Sequence, residues 1–444
     1  MIEKSSRILH YALGYPPART GGQVWYVLDL VCQQVAAGYE VAYLYPGRLD
    51  PFVRRSYVKA VGQADSTGPQ RFELVNSLPL PLFGGIRQPE DFCRPSDIGA
   101  FLRLFETWKP DIIHVHTLMG LYKEFIEAAK QCSIPIIFTS HDYFGLSPVP
   151  DFYFAGRSWH DNNSTAFWCN VGTYRAMSTR TLRVFQLGIY PRLRDFLKRS
   201  RGTVRAVPDS LPTNDHKWNT KYAVNMDKLR VYYQEIFSMI TRFHFNSTIA
   251  RDVYLNNLEF WPKSFDIVPV TNSSVAKDPI PKRLGNSSKQ IAYIGPYLEY
   301  KGFFDFLDLT RENIVPNLEF HLWGDDRLPD LVNVVNHGRF RRNDIDRVFS
   351  NIDTLVFPSR WQETFGLVAI EALDHGVPVL ASCNAGVKDL LPAEWIFSSK
   401  DELKERMNVL PLCVPSDVRV KLRTMAEHAE EISEIYFSSL QNPA

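Results

Sequence analysis

Short runs of β-type apolar residues alternate with amphipathic stretches over most of the 444-residue chain, the pattern of parallel sheets flanked by helices rather than of sandwiches. Arg7–Leu13 reads as a strand. Behind it, Val24, Val27, Leu28, Val31 and Val35 recur at helical spacing until Gly38, and Val41–Tyr45 reads as the next strand, completing one βαβ unit. Further strands are predicted at Asp111–His116, Pro135–His141, Arg242–Asn246 and Phe265–Val270. After a Pro-, Ser- and charge-rich stretch at 277–288, a second series follows at Gln290–Gly295, Leu318–Gly324, Asp353–Ser359 and Pro378–Ser382, with helical stretches after three of the four. The pattern is α/β: a doubly wound domain over 1–270, a linker over 271–289 and a second doubly wound domain over 290–444. Residues 151–230 follow no sustained period and read as an insertion into the first domain.

Length and composition sharpen this picture. A chain of 444 residues with 45% hydrophobic content can fill two cores. A formal net charge of +1 gives no global field for nucleic acid, so no nucleic-acid partner is expected. Six cysteines without a C-x-x-C pair argue against a zinc site and a disulfide framework, and reduced thiols suit a cytoplasmic protein. No stretch near the N-terminus reads as a signal peptide, and no apolar run is long enough to cross a bilayer. The basic amphipathic stretch 191–201 could touch anionic lipid head groups at the periphery of a membrane; a solvated helix face is the other reading.

The densest chemistry lies in Phe357–Pro378. A buried strand runs into a loop, the loop into a helix starting near Phe365–Gly366, and Gly376 and Pro378 stop that helix. Gly366 permits close approach, and the free amides of the first turn suit a phosphate. Glu363 precedes the helix and Glu371 lies inside it, different depths that suit hydroxyl acceptors and not an acid/base pair on one face. Thr20-Gly21-Gly22-Gln23 offers a second helix start where backbone can approach a phosphate or sugar, although a plain turn explains it equally well. His116 and His141 end consecutive strands, where sheets of this class face their ligand crevice; a structural role serves each as well. A further loop, Ile294-Gly295 to Lys301-Gly302, links a strand end to an aromatic-rich helix near Phe303.

Glu363 and Glu371, seven residues between them, together with Pro358-Ser359, Gly376-Val-Pro378 and the Gly295–Lys301 loop, resemble the retaining glycosyltransferases of the GT-B fold, family 4. The resemblance implies two Rossmann-like domains facing across a cleft and a nucleoside-diphosphate sugar as donor, with no other cofactor. The acceptor it implies is a hydroxyl of a glycan or lipid-linked saccharide, as in bacterial surface polysaccharide synthesis. By the same resemblance Glu363 and His141 hold the transferred sugar, Glu371 the donor ribose, and the backbone of Thr364, Phe365 and Gly366 the diphosphate, whose departure Lys301 assists. Gly21, Gly22 and Gly295 line the donor site, and a final helix over 416–436 packs back on the first domain. Pro296 stands where the family often has an arginine; Arg339, Arg341 or Arg342 could replace that cation. No histidine–carboxylate cluster has metal-ligand spacing, so no metal is expected. A non-catalytic binder of nucleotide sugars and a sugar epimerase or phosphorylase of the same fold are the rival readings.

Overall fold

The structure is a computed structural model that describes residues 6–62, 68–81, 84–173, 176–187, 223–277, 288–311, 317–325, 334–410 and 413–441. The basic stretch 191–201 and most of the predicted linker lie outside the described residues.

The first sheet has eight strands: β1 (Arg7–Tyr11), β2 (Glu40–Pro46), β3 (Tyr57–Ala60), β4 (Gln70–Val75), β5 (Ile112–Val115), β6 (Ile136–Thr139), β9 (Arg242–Phe245) and β10 (Phe265–Ile267). Their order is β10-β9-β6-β5-β1-β2-β4-β3, and only β3 runs antiparallel to its neighbour. β5 and β6 are buried at every residue, as strands covered on both faces must be. Helices α1 (Gly22–Ala36), α2 (Ile98–Trp108) and α3 (Lys123–Gln131) follow strands of this sheet.

The second sheet comprises β11 (Lys289–Ile294), β12 (Leu318–Trp323), β13 (Val334–Gly338), β14 (Thr354–Phe357), β15 (Val379–Ser382) and β16 (Ile396–Phe397). It is wholly parallel, in the order β13-β12-β11-β14-β15-β16. Each sheet reverses its strand order beside its first strand, between β1 and β5 in one and between β11 and β14 in the other. Crevices of doubly wound sheets open at the carboxyl ends of the strands at this reversal. The loops placed there are those after β1, β5, β11 and β14.

Three features depart from the sequence pattern. The edge pair β3 and β4 is half exposed, so its residues alternate too weakly to announce strands. The segment 151–187, without a period in the sequence, is built of short elements: a hairpin β7 (Tyr153–Phe154) and β8 (Arg157–Ser158) and helices α4 (Thr165–Thr173) and α5 (Thr179–Phe185) bury Phe152, Phe167 and Trp168 against the first sheet's core. Aromatics delivered from turns and short elements leave no period to read. Helix α6 (Ala223–Ser238) continues that core with Met226, Leu229, Ile236 and Phe237, and α7 (Thr248–Asn257) follows β9.

The third is the final helix predicted over 416–436, which is two. In the second lobe, α8 (Phe303–Arg311), α9 (Ile345–Ser350), α10 (Leu367–Asp374) and α11 (Lys400–Asn408) are followed by α12 (Ser416–Lys421) and α13 (Met425–Gln441). The break is a capping box: Thr424 N donates to Glu427 Oε2 at 2.8 Å, and Glu427 N to Thr424 Oγ1 at 3.2 Å. From there α13 returns to the first lobe. His428 meets the Tyr26 hydroxyl at 2.9 Å, and Gln34 donates to the Tyr436 hydroxyl at 3.1 Å.

Candidate active site

Between the lobes lies a cavity of about 700 Å³. Nine of the residues singled out from sequence line it: Gly22, His141, Gly295, Lys301, Glu363, Thr364, Phe365, Gly366 and Glu371. Gly21 does not; it caps α1 at φ +147° with no side-chain cap.

Two loops of the second lobe build the floor. The loop after β11 ends in a tight turn, Glu299–Lys301, closed by Gly302 at φ +73°. A Cβ on Gly302 would lie 1.7 Å from the Pro358 carbonyl oxygen, so only glycine lets this turn touch the strand end after β14. That contact brings Lys301 Nζ to 2.7 Å from Glu363 Oε1 and 4.9 Å from the centre of the Trp361 ring. Glu363 Oε2 is buried and has no partner among the described residues, an exception to the rule that buried polar atoms are hydrogen-bonded.

After Glu363 the chain is held by its carbonyls. Ser247 Oγ donates to Thr364 O at 2.7 Å, Gly386 N to Glu363 O at 2.9 Å and Val387 N to Phe365 O at 3.0 Å. No hydrogen bond among the described residues uses the amides of Thr364, Phe365 and Gly366. Gly366 caps α10 at φ +131°, again without a side-chain cap. An uncapped helix start concentrates free donors and the positive end of the helix dipole, which favours an anion. The start of α1 faces it: a Cβ on Gly22 would be 3.4 Å from Leu367.

Glu371 points from α10 toward the start of the segment that joins the lobes, where Asn272 Nδ2 and Ser274 Oγ donate to its Oε1 at 2.5 and 3.1 Å. Burial raises its pKa and those two hydrogen bonds oppose the rise. Of the candidate replacement cations, Arg339 and Arg342 line the cavity and Arg341 does not. Arg342 grips Asp29 of α1 with both terminal guanidinium nitrogens, donates to Ser273 Oγ at 2.8 Å and lies 5.4 Å from the Trp25 ring, tying the lobes together beside the cavity. Pro296 is also on the wall, in the place that lacks the arginine.

His141 forms part of the first-lobe wall, and burial lowers its pKa to about 3, with the neighbouring His244 adding to the effect. His116 lies behind it, Nδ1 3.2 Å from His141 Nε2, fully buried and off the cavity surface. His10, His114 and His116 bring ring nitrogens within 4.8 Å of one another, a grouping that could hold a metal ion and that sequence spacing did not show. All six of their ring nitrogens are already in hydrogen bonds to Gln34, Tyr436, Thr139, His141 or each other.

Sequence reasoning missed Trp25, Asn246 and Trp361 on the cavity wall. Asn246 carried a signal: it directly follows β9, at a strand end of the kind that faces the crevice in sheets of this class. No disulfide joins any of the six cysteines, and no helix among the described residues is long and apolar enough to cross a membrane.

Comparison with known proteins agrees with this architecture. The sequence profile of Glycosyltransferase Family 4 matches residues 20–183, and that of Glycosyl transferases group 1 matches residues 288–410. An uncharacterised 41.2 kDa protein in the cps region of Klebsiella pneumoniae is 32% identical over 106 residues, 23% of this chain and 29% of the relative. The chain thus matches less than a third of that relative's length. Among solved structures, a sucrose-phosphate synthase from Thermosynechococcus elongatus superposes with a TM-score of 0.59 at 15% identity, covering 98% of this chain and 99% of the other. The Anabaena protein HepE in complex with UDP and glucose gives a TM-score of 0.50 at 14% identity, covering 98% and 97%. With one profile on each lobe and the two-lobed fold shared end to end, the chain belongs to the group 1, family 4 glycosyltransferases of the GT-B fold.

Proposed function

We propose that the protein transfers a sugar, with retention of anomeric configuration, from a nucleoside-diphosphate sugar to a hydroxyl of a glycan or lipid-linked saccharide. The observation that carries this reading is that Lys301 and the uncapped start of α10 at Thr364–Gly366 face one cavity. An ammonium and a fan of free amides are what a departing diphosphate requires as it gathers charge. The HepE structure, which contains UDP and glucose, and the Klebsiella relative's place in a cps region support a nucleotide sugar and polysaccharide synthesis.

In this reading the diphosphate rests on the amides of Thr364–Gly366, with Lys301 beside it. Glu371 takes the ribose and Glu363 and His141 take the sugar. The bond between C1 and the phosphate oxygen breaks with its electron pair passing to the diphosphate, and C1 becomes oxocarbenium-like. The acceptor oxygen then bonds to C1 on the face the diphosphate leaves, and its proton passes to a leaving phosphate oxygen. Among the described residues the cavity wall carries two carboxylates, Glu363, paired through Oε1 with Lys301, and Glu371, held by Asn272 and Ser274, and this reading gives neither the part of an enzymic nucleophile. The test is transfer or donor hydrolysis by the purified protein, measured over a panel of nucleotide sugars and repeated with folded Glu363→Ala and Lys301→Ala variants. Turnover that both variants retain in full would refute the assignment. Product anomericity decides retention.

A further inference from the structure

Behind the cavity wall runs an unbroken line of buried hydrogen-bonding groups that the proposed transfer does not use. His141 Nε2 lies 3.2 Å from His116 Nδ1, His116 Nε2 2.9 Å from His10 Nδ1, and His10 Nε2 2.7 Å from Gln34 Oε1. Gln34 Nε2 is 3.1 Å from the Tyr436 hydroxyl, which is 2.6 Å from His114 Nδ1. His114 Nε2 is 2.6 Å from Thr139 Oγ1, that oxygen is 2.9 Å from His244 Nδ1, and His244 Nε2 ends the line 2.8 Å from the carbonyl of Val268. Four strands of the first sheet and helices α1 and α13 contribute to it.

The far end fixes the direction of every bond. A carbonyl can only accept, so His244 carries its hydrogen on Nε2, and as a neutral imidazole it must accept at Nδ1. The Thr139 hydroxyl therefore donates to His244 and accepts from His114 Nε2. His114 Nδ1 then accepts from the Tyr436 hydroxyl, whose oxygen accepts from the amide of Gln34. That turns the Gln34 oxygen toward His10, and His10, His116 and His141 each donate through Nε2 to the next group inward. One atom is left over. His141 Nδ1 has a lone pair and no partner among the described residues, and the ring stands on the cavity wall. Burial keeps the imidazoles neutral: it is the first cause lowering the pKa of His10, His114, His116, His141 and His244.

We propose that His116, His10, Gln34 and Tyr436 are positioning residues that lock His141 into its Nε2–H tautomer, so that its Nδ1 accepts a hydrogen bond from a sugar hydroxyl in the cavity. The proposal rests on reading the cavity as a nucleotide-sugar site. Its chemical consequence is selection of a group that can donate: a deoxy or O-methylated sugar has no hydrogen to offer there.

The tautomer can be read without any ligand. Long-range ¹⁵N–¹H spectra of the full chain labelled at histidine nitrogens, assigned with a His141→Gln variant, should show His141 Nδ1 as the unprotonated nitrogen and Nε2 as the protonated one at neutral pH. An Nδ1–H tautomer, or a stoichiometric metal bound among these histidines, overturns the proposal. In Gln34→Met and Tyr436→Phe, two variants chosen so that misfolding of one leaves the other, His141 should become a mixture of tautomers. Affinity for whichever of UDP-glucose, UDP-galactose or GDP-mannose the wild type binds should fall roughly three- to ten-fold, the effect of one ordinary hydrogen bond. An unmixed Nε2–H signal in a folded variant also overturns it. A wild type that binds none of these donors counts against the function proposed for the cavity, while the spectra still decide the relay.

Discussion

Lys301 shows how much one side chain is asked to do. Its ammonium is paired with Glu363 at 2.7 Å and sits over the Trp361 ring, on the wall that also presents the free amides of α10. With Pro296 in place of an arginine, the cation in contact with Glu363 is Lys301, whereas Arg342 is committed to Asp29 and Arg339 lies 3.7 Å from Asp325. Lys301→Ala should therefore lower kcat about 100- to 1,000-fold, the scale of losing one positioned charge-stabilising group, with the unfolding midpoint nearly unchanged. A kcat within a factor of three of wild type would remove Lys301 from the mechanism. Gly302 supplies a complementary test of geometry. Its φ is +73°, and a methyl group there would stand 1.7 Å from the Pro358 carbonyl oxygen, so Gly302→Ala must push apart the two loops that form the floor. The expected cost is at least about 2 kcal/mol in urea unfolding, with weaker donor binding. Wild-type stability in that variant would show that the contact is not tight.

At the scale of elements, α13 couples the end of the chain to the first lobe. Ile432, Ile435 and Tyr436 are buried in a core cluster that also contains Tyr26, Val27 and Leu30 of α1 and strand residues of both sheets. A chain ending at Pro415 strips that face of α1 and leaves Gln34, His114 and Tyr26 without their partners Tyr436 and His428. We expect it to lose cooperative unfolding by circular dichroism and to lose transfer; a truncated chain that keeps both would refute the role given to α13. The break between α12 and α13 was open to reading, because Thr424-Met-Ala-Glu427 is a capping box in plain sequence. The parallel strands were legible for a related reason, since burial on both faces makes them continuous apolar runs. Loops at the strand-order reversal were legible through their glycines and charges. The histidine line was not, because its bonds join residues from 24 to 402 positions apart, and no local period records that His114 meets Tyr436. Neither was the grip of Arg342 on Asp29, 313 positions away.

Across the whole molecule, the buried histidines tie stability to pH. Nine of the 11 histidines, His10, His114, His116, His141, His160, His244, His321, His337 and His428, are lowered in pKa with burial as the first cause. The folded values are about 4 for His10 and His244 and about 3 for His141, against 6.5 when unfolded. Below pH 6.5 the unfolded chain therefore takes up protons that the folded chain refuses, and stability falls with falling pH until the folded groups titrate. Each histidine contributes up to about 1.4 kcal/mol per pH unit in that window. Three buried carboxyls, Asp142, Asp151 and Glu371, act in the opposite sense. Burial raises Asp142 to about 7 and Asp151 to about 6 from 3.8, so the stability they give as neutral acids is present at low pH and is lost as pH rises through those values. Between pH 6 and 4 both sets change the proton count, and nine histidines outweigh three carboxyls. The urea midpoint should therefore be clearly lower at pH 5 than at pH 7, and Asp142→Asn, which removes one opposing group, should steepen the fall. A midpoint that holds or rises on acidification would mean that the histidines are already protonated at neutral pH. The single direction of hydrogen bonds from His141 to Val268 would then be lost as well, because an imidazolium donates at both nitrogens.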